Sequence, residues 1–184
     1  GTKPNLTPFA KKYGVKGGVI SAVDLIKGIA ICAGLKSVDV EGANGNVDTN
    51  YAGKADAALD LLKNGCDMVY IHVEAPDECG HRYEINNKVT AIERIDQDIL
   101  GRILPVLRDS GEPFSVLLMP DHPTPLAIRT HTGEPVPFVL YQSDREQTGA
   151  ERYTEALAAS TGIFVPEGHW MMHKLINGFS SQPE

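Results

Sequence analysis

The chain has 184 residues, enough for one domain with a substantial core, and its 42% hydrophobic and 22% charged content is that of an ordinary globular protein. A formal net charge of −7 argues against nucleic-acid binding, which favours a basic stripe; an anionic substrate stays open, because bound metal can reverse the local sign. The three cysteines (Cys32, Cys66, Cys79) lack CxxC spacing and imply no disulfide framework, and no apolar run approaches the roughly 20 residues of a membrane helix.

With no signal peptide either, these features predict a cytoplasmic protein that contacts neither nucleic acid nor membrane. Gly1 is not an initiator methionine, and Gly1–Leu6 reads as a linker entering a structure already under way, so the chain is read as a piece of something longer. Gly18-Val19-Ile20-Ser21 is a short β-like run, followed by a helix from about Ala22 to Ala33 with a weak capping signal in Ser21 and Asp24. Lys36–Val40 suits a strand, and Gly42–Asn46 is turn chemistry. From Tyr51 to Lys63, Ala55, Ala58, Leu59, Leu61 and Leu62 recur at helical spacing before Asn64-Gly65. Met68–Val73 reads as a strand buried on both faces. Asn86–Arg108 reads as the longest helix, with Val89, Ile92, Ile95, Ile99, Ile103 and Leu107 three or four apart. Phe114–Met119 reads as another such buried strand and Pro137–Tyr141 as one more, and helices near 150–159 and 170–176 close the chain. The alternation predicts an α/β fold with a largely parallel sheet and a single segment, 1–184, without repeats. The proline- and threonine-rich stretch 123–135 reads as a functional loop.

Three short motifs follow strand-like runs: Asp77-Glu78-Cys79-Gly80-His81, Asp121-His122, and His131 within Arg129-Thr130-His131-Thr132. Together they offer two aspartates and three histidines, the oxygen and imidazole donors that borderline divalent metals prefer. At the carboxyl edge of an α/β sheet such groups converge where these folds bind ligands. Asp77 and His81, four apart, share one face if their segment is helical. Each motif also has a plain structural reading: a helix N-terminus with a surface histidine, a polar turn after a buried strand, and an exposed loop histidine. Adjacent Asp121 and His122 reach one ion only at a sharp turn, which Pro120 and Pro123 favour. Five ligands suggest two cations, the usual device of phosphoryl or ester transfer. Ser21 is a candidate nucleophile but reads better as a simple cap, so no nucleophile is identified. His169 and His173 read as packing or surface residues. Cys79 reads as a soft-metal ligand or, better, as a small residue at a tight turn, and Glu74 and Glu78 as groups orienting ligands or plain solvated acids.

The ordered run His72–His81, then Asp121-His122-Pro123-Thr124-Pro125, then Arg129–Thr132 with Pro135-Val136-Pro137-Phe138 resembles the archaeal-type cofactor-independent phosphoglycerate mutases of the alkaline phosphatase superfamily. Gly18–Gly28 and Asp48–Tyr51 are similar to that family as well, so the likeness covers nearly the whole chain. The resemblance implies a three-layer, mostly parallel sheet flanked by helices, incomplete relative to the full domain. It assigns Asp77, His81 and His131 to one divalent metal, and Asp121 and His122 to a second. Manganese is the family's usual metal, with magnesium, zinc or cobalt as alternatives. Members pass the phosphoryl group of 3-phosphoglycerate to a serine and return it to the 2-hydroxyl, with one metal activating the serine and the other holding phosphoryl oxygens. The family's nucleophilic serine, a further metal aspartate and the substrate-gripping insertion match nothing in this chain and are expected upstream; neither Lys12 nor Lys27 clearly matches its phosphate-binding lysine. The chain alone is therefore expected to be inactive, as the carboxyl-terminal part of an enzyme acting on a phosphorylated small molecule. A homoserine kinase-like enzyme, another phosphatase of the same fold, or a non-catalytic metal- or partner-binding fragment are the alternatives. An exposed sheet edge would also favour a homodimer.

Overall fold

The computed structural model describes residues 2–181. They form two compact units, one built from the chain up to Asp109 together with Thr124–Thr130, the other from Ser110–Pro123 together with the chain from His131 onward.

In the first unit, helix α1 (Phe9–Tyr13) precedes strand β1 (Gly17–Ile20), helix α2 (Asp24–Cys32), strand β2 (Lys36–Val38), helix α3 (Tyr51–Lys63) and strand β3 (Met68–Ile71). The strands form a parallel sheet in the order β2-β1-β3, with Gly18 opposite Lys36 and Val69. Helical crossovers explain the parallel pairing, since a hairpin cannot make it. The core joins Ile20 of the sheet to Tyr51, Ala55, Ala58 and Leu61 of α3. α3 starts where the Asn50 side chain accepts from the Gly53 amide at 2.8 Å.

Beyond β3 the chain enters helix α4 (Ala75–His81), with a proline in the first turn where its missing N–H costs nothing. Helix α5 (Ile85–Arg94) then runs through a π-helical turn (Ile95–Leu100) into helix α6 (Gly101–Asp109). The expected helix over 86–108 is thus present but not continuous. Ile95, Ile99, Ile103 and Leu107 are each four apart, and at 3.6 residues per turn each such step drifts by about 40° around an ideal helix. The wider π turn, in which the Gly101 amide reaches the Asp96 carbonyl, absorbs drift and keeps Ile99 and Ile103 buried.

The second unit pairs strand β4 (Ser115–Leu118) with strand β5 (Val139–Gln142), antiparallel, with Leu117 opposite Leu140. The connection between them has no crossover helix, so the parallel arrangement expected along the chain stops at β3. Helices α7 (Glu155–Ser160) and α8 (Trp170–Asn177) follow. The strands read as buried on both faces are covered only in part: Tyr70 of β3 is 40% exposed, and β4 is half-buried throughout. Continuous apolar runs do not by themselves report how many layers cover a sheet. No helix among the described residues is long and apolar enough to cross a membrane.

Candidate metal centre

The first unit places Asp77 and His81 on α4, which starts four residues past the carboxyl end of β3. The spacing of four sets both on one helical face, and Asp77 Oδ2 stands 3.3 Å from His81 Nε2. Asp77 Oδ1 accepts a short hydrogen bond from the Thr124 hydroxyl. Thr124 is only 6% exposed, and its carbonyl accepts from Lys88 Nζ at 2.9 Å. His81 Nδ1 lies 2.9 Å from the carbonyl of Arg129. A carbonyl can only accept, so Nδ1 carries the ring proton in that bond. In the neutral imidazole Nε2 then presents a lone pair towards a carboxylate oxygen, an arrangement that a shared cation or a second proton makes favourable.

These residues fit a divalent ion. Two donors about 2.1 Å from one ion stand about 3.0 Å apart at a right angle and about 3.4 Å apart at the tetrahedral angle, which brackets the spacing found here. An imidazole whose other nitrogen donates to a backbone carbonyl, and a carboxylate whose second oxygen accepts a hydroxyl, are the usual supports of metal ligands.

The surrounding acids divide. Glu78 pairs with Arg82 at 2.8 Å, and Arg82 also holds Glu84 at 2.7 Å, pulling the Glu84 carboxyl below its ordinary range. Glu74, at the start of α4, is pushed up by burial and then by the charges of Glu78 and Asp77. Burial likewise raises the Cys79 thiol, which is fully enclosed and keeps its proton, as a packing residue does. Ser21, 3% exposed, accepts from the Val23 amide at 3.0 Å and pairs with His72 Nδ1 at 3.1 Å. Behind it, buried Lys54 donates to the His72 carbonyl at 3.0 Å, and burial lowers its pKa.

The second unit gathers the other three candidates. Asp121 and His122 follow β4 at a bend, and their side chains approach to 3.3 Å between Oδ2 and Nε2. The bend lets the two adjacent side chains approach each other. The His122 and His131 rings lie with centroids 3.7 Å apart and planes tilted by 34°, and the Thr132 amide donates to the Pro123 carbonyl at 3.2 Å, tying the two motifs together. His169 and His173 belong to the α8 region, where His169 meets Glu167 at 3.7 Å and His173 meets Asn177 at 3.2 Å.

Reading the sequence alone leaves out Thr124, Lys88 and Arg129. Thr124 sits inside the quoted Asp121–Pro125 run, but nothing in its type distinguishes it from a loop threonine. The role of Arg129 is played by its backbone, which no side-chain pattern can reveal.

The family model described as the Metalloenzyme superfamily matches residues 1–165. The 2,3-bisphosphoglycerate-independent phosphoglycerate mutase of Methanothrix thermoacetophila is 46% identical over 178 residues, covering 97% of this chain and 45% of that protein. A protein from Geobacter sulfurreducens with the same designation, qualified as probable, is 46% identical over 96% of this chain and 44% of its own length. A solved protein from Pyrococcus horikoshii aligns over 100% of this chain and 55% of its own, with 29% identity and a TM-score of 0.84. The cofactor-independent phosphoglycerate mutase of Thermoplasma acidophilum, at 22% identity and a TM-score of 0.66, shares the fold. The chain thus spans less than half the length of these curated relatives. Over the greater part of its length, including all five candidate ligands, this chain belongs to the Metalloenzyme superfamily.

Proposed function

We propose that this chain carries the metal-binding part of a phosphoglycerate mutase-like phosphotransferase, with Asp77, His81 and His131 on one divalent ion and Asp121 and His122 on a second. The observation that carries the proposal is the Asp77–His81 pair: donors 3.3 Å apart, each held from behind by a residue of the 124–130 segment. His131 lies two residues after Arg129, and two residues of chain reach at most about 7 Å, which supports its joining that pair. The names of the relatives support 3-phosphoglycerate as the phosphorylated substrate of the whole protein, and manganese as the metal follows from the family resemblance.

Bound divalent ions would supply charge neutralisation at phosphoryl oxygens and lower the pKa of an attacking hydroxyl. The residues of the chain do the holding. Thr124 orients Asp77 through its hydroxyl, Arg129 fixes the protonated nitrogen of His81, and Lys88 pins the Thr124 carbonyl.

Calorimetric titration of the chain with manganese and zinc tests the ligand assignment. One tight site is expected, lost in Asp77→Asn, weakened in His131→Ala and unchanged in His173→Ala. Equal effects of the three changes would sink it. In the full-length protein, conversion of 3-phosphoglycerate that is abolished by Asp77→Asn carries the reaction. Phosphorylation of homoserine by ATP in its place would replace it, and metal binding without turnover of either would reduce the protein to a binding module.

A further inference from the structure

Helix α4 closes with two paired bonds: the Glu84 amide reaches the Cys79 carbonyl at 2.9 Å and the Tyr83 amide the Gly80 carbonyl at 3.2 Å. In this closure the residue after the cap takes a left-handed backbone, a place that glycine usually fills. Helices α1, α2 and α3 obey the rule, ending at Gly14, Gly34 and Gly65, all at positive φ. α4 ends instead on Tyr83, at φ 60°. The turn that starts at Pro125, with the Arg129 amide on the Pro125 carbonyl at 2.9 Å, also ends left-handed on a side chain, Arg129 at φ 55°.

These are the two non-glycine residues at positive φ among the described ones, and they meet: the Arg129 guanidinium lies 4.8 Å from the centroid of the Tyr83 ring. Both are exposed at the surface of the first unit. A left-handed backbone costs a residue with a side chain more than half of one exposed cation–π contact returns, so the stack alone does not justify two such positions. What the pair adds is the position of one carbonyl. Arg129, held left-handed at one end of the stack, supplies the oxygen on which His81 Nδ1 sits.

We propose that the Tyr83–Arg129 stack is a clamp that holds the Arg129 carbonyl against His81, and thereby fixes the tautomer in which Nε2 faces Asp77 as a ligand. Tyr83 and Arg129 are positioning residues; backbone strain of this kind persists where the surroundings over-determine it. The clamp rests on the reading of Asp77 and His81 as a metal pair, but its first readout does not require metal.

The test is the His81 tautomer in the metal-free chain, read by long-range nitrogen–proton NMR correlations at a pH where the ring is neutral, alongside thermal midpoint and manganese titration. Wild type is expected to show Nδ1–H. Tyr83→Gly relieves the backbone, so its midpoint is expected unchanged or raised, while His81 moves towards the Nε2–H form that free imidazole side chains favour. Its manganese affinity is expected to fall at least about ten-fold, the size of effect seen when partners of metal ligands are removed. Tyr83→Phe keeps the ring face and is expected to restore both readouts. Retention of Nδ1–H and of full affinity in Tyr83→Gly would overturn the clamp, because a mere helix terminator loses nothing to glycine. A tautomer change in a chain that binds no manganese would keep the clamp and remove the metal reading instead.

Discussion

Adding one methyl group at Gly80 separates two effects of opposite sign. In an ordinary helix, alanine in place of glycine stabilises by about 1 kcal/mol, because the unfolded chain has less freedom to lose. Here the new Cβ would stand 2.6 Å from the Thr124 backbone oxygen, 2.8 Å from Thr124 Cγ2 and 2.9 Å from Lys88 Nζ, where ordinary contacts begin at 3.4 Å. The lysine end can swing away; the backbone oxygen cannot without moving the segment that carries Thr124 and Arg129. Overpacking of this kind costs about 1–3 kcal/mol. A lost hydroxyl bond to a carboxylate adds about 1.5–3 kcal/mol. Together the two outweigh the propensity gain, for a net loss of about 1.5–5 kcal/mol, or about 3–20 °C in midpoint for a chain of this size. Far-UV circular dichroism is the appropriate probe, since the single tryptophan, Trp170, belongs to the other unit. Manganese affinity should fall with the midpoint, because Asp77 and His81 both lose their supports. A Gly80→Ala chain as stable as wild type, with undiminished metal affinity, would show that the 124–130 segment does not rest on α4 closely enough to exclude a methyl group.

Other outcomes follow from the same contacts. Thr124→Val preserves shape but removes the hydroxyl on Asp77; weaker manganese binding by about ten-fold or more is expected by calorimetry, in line with other second-neighbour changes. Asn50→Ala removes the cap of α3 and should lower the urea midpoint by the equivalent of about 1 kcal/mol, with no effect on metal binding. Lys54 tests linkage. Its pKa is lowered by burial in the folded chain, so between that depressed value and the ordinary one near 10.5 the unfolded state binds more protons. Stability contributed by this group therefore rises with pH through that window and is lost as pH falls through the folded pKa. The urea midpoint of wild type minus that of Lys54→Met should rise from pH 8 through 9 to 10; a value that falls as pH rises would refute the assignment.

The regular elements were legible where hydrophobic period and punctuation agree. α3 carries apolar residues at helical spacing between Asn50 and Asn64-Gly65, and its bounds, Tyr51–Lys63, match the reading residue for residue. The long helix was legible as an apolar stripe, but its π turn was not, although three successive spacings of four already exceed what 3.6 residues per turn can hold in line. α1 leaves no signal in the sequence, because five residues carry too little period to register. Burial is not legible at β3 and β4, where an apolar run says that a strand is wanted in a sheet but not which of its faces another element covers.

The site divides along a different line. Residues that would touch a metal announce themselves by chemical type, and Asp77, His81, Asp121, His122 and His131 are all aspartates or histidines within short motifs. Residues that support them were invisible, because the bonds that matter join positions 47 and 48 apart and run through a hydroxyl and a backbone carbonyl. The one local trace they leave is a broken rule. Gly80 lies inside a helix, where glycine is unfavourable, and Tyr83 ends that helix, where glycine is favoured. Each departure is unfavourable for α4 considered alone. Both become intelligible when the 124–130 segment is laid against the helix: the first makes room for its backbone, and the second offers its arginine a ring. A helix that gives up local stability at two positions within four residues, both facing the same distant segment, is shaped by what that segment must hold in place.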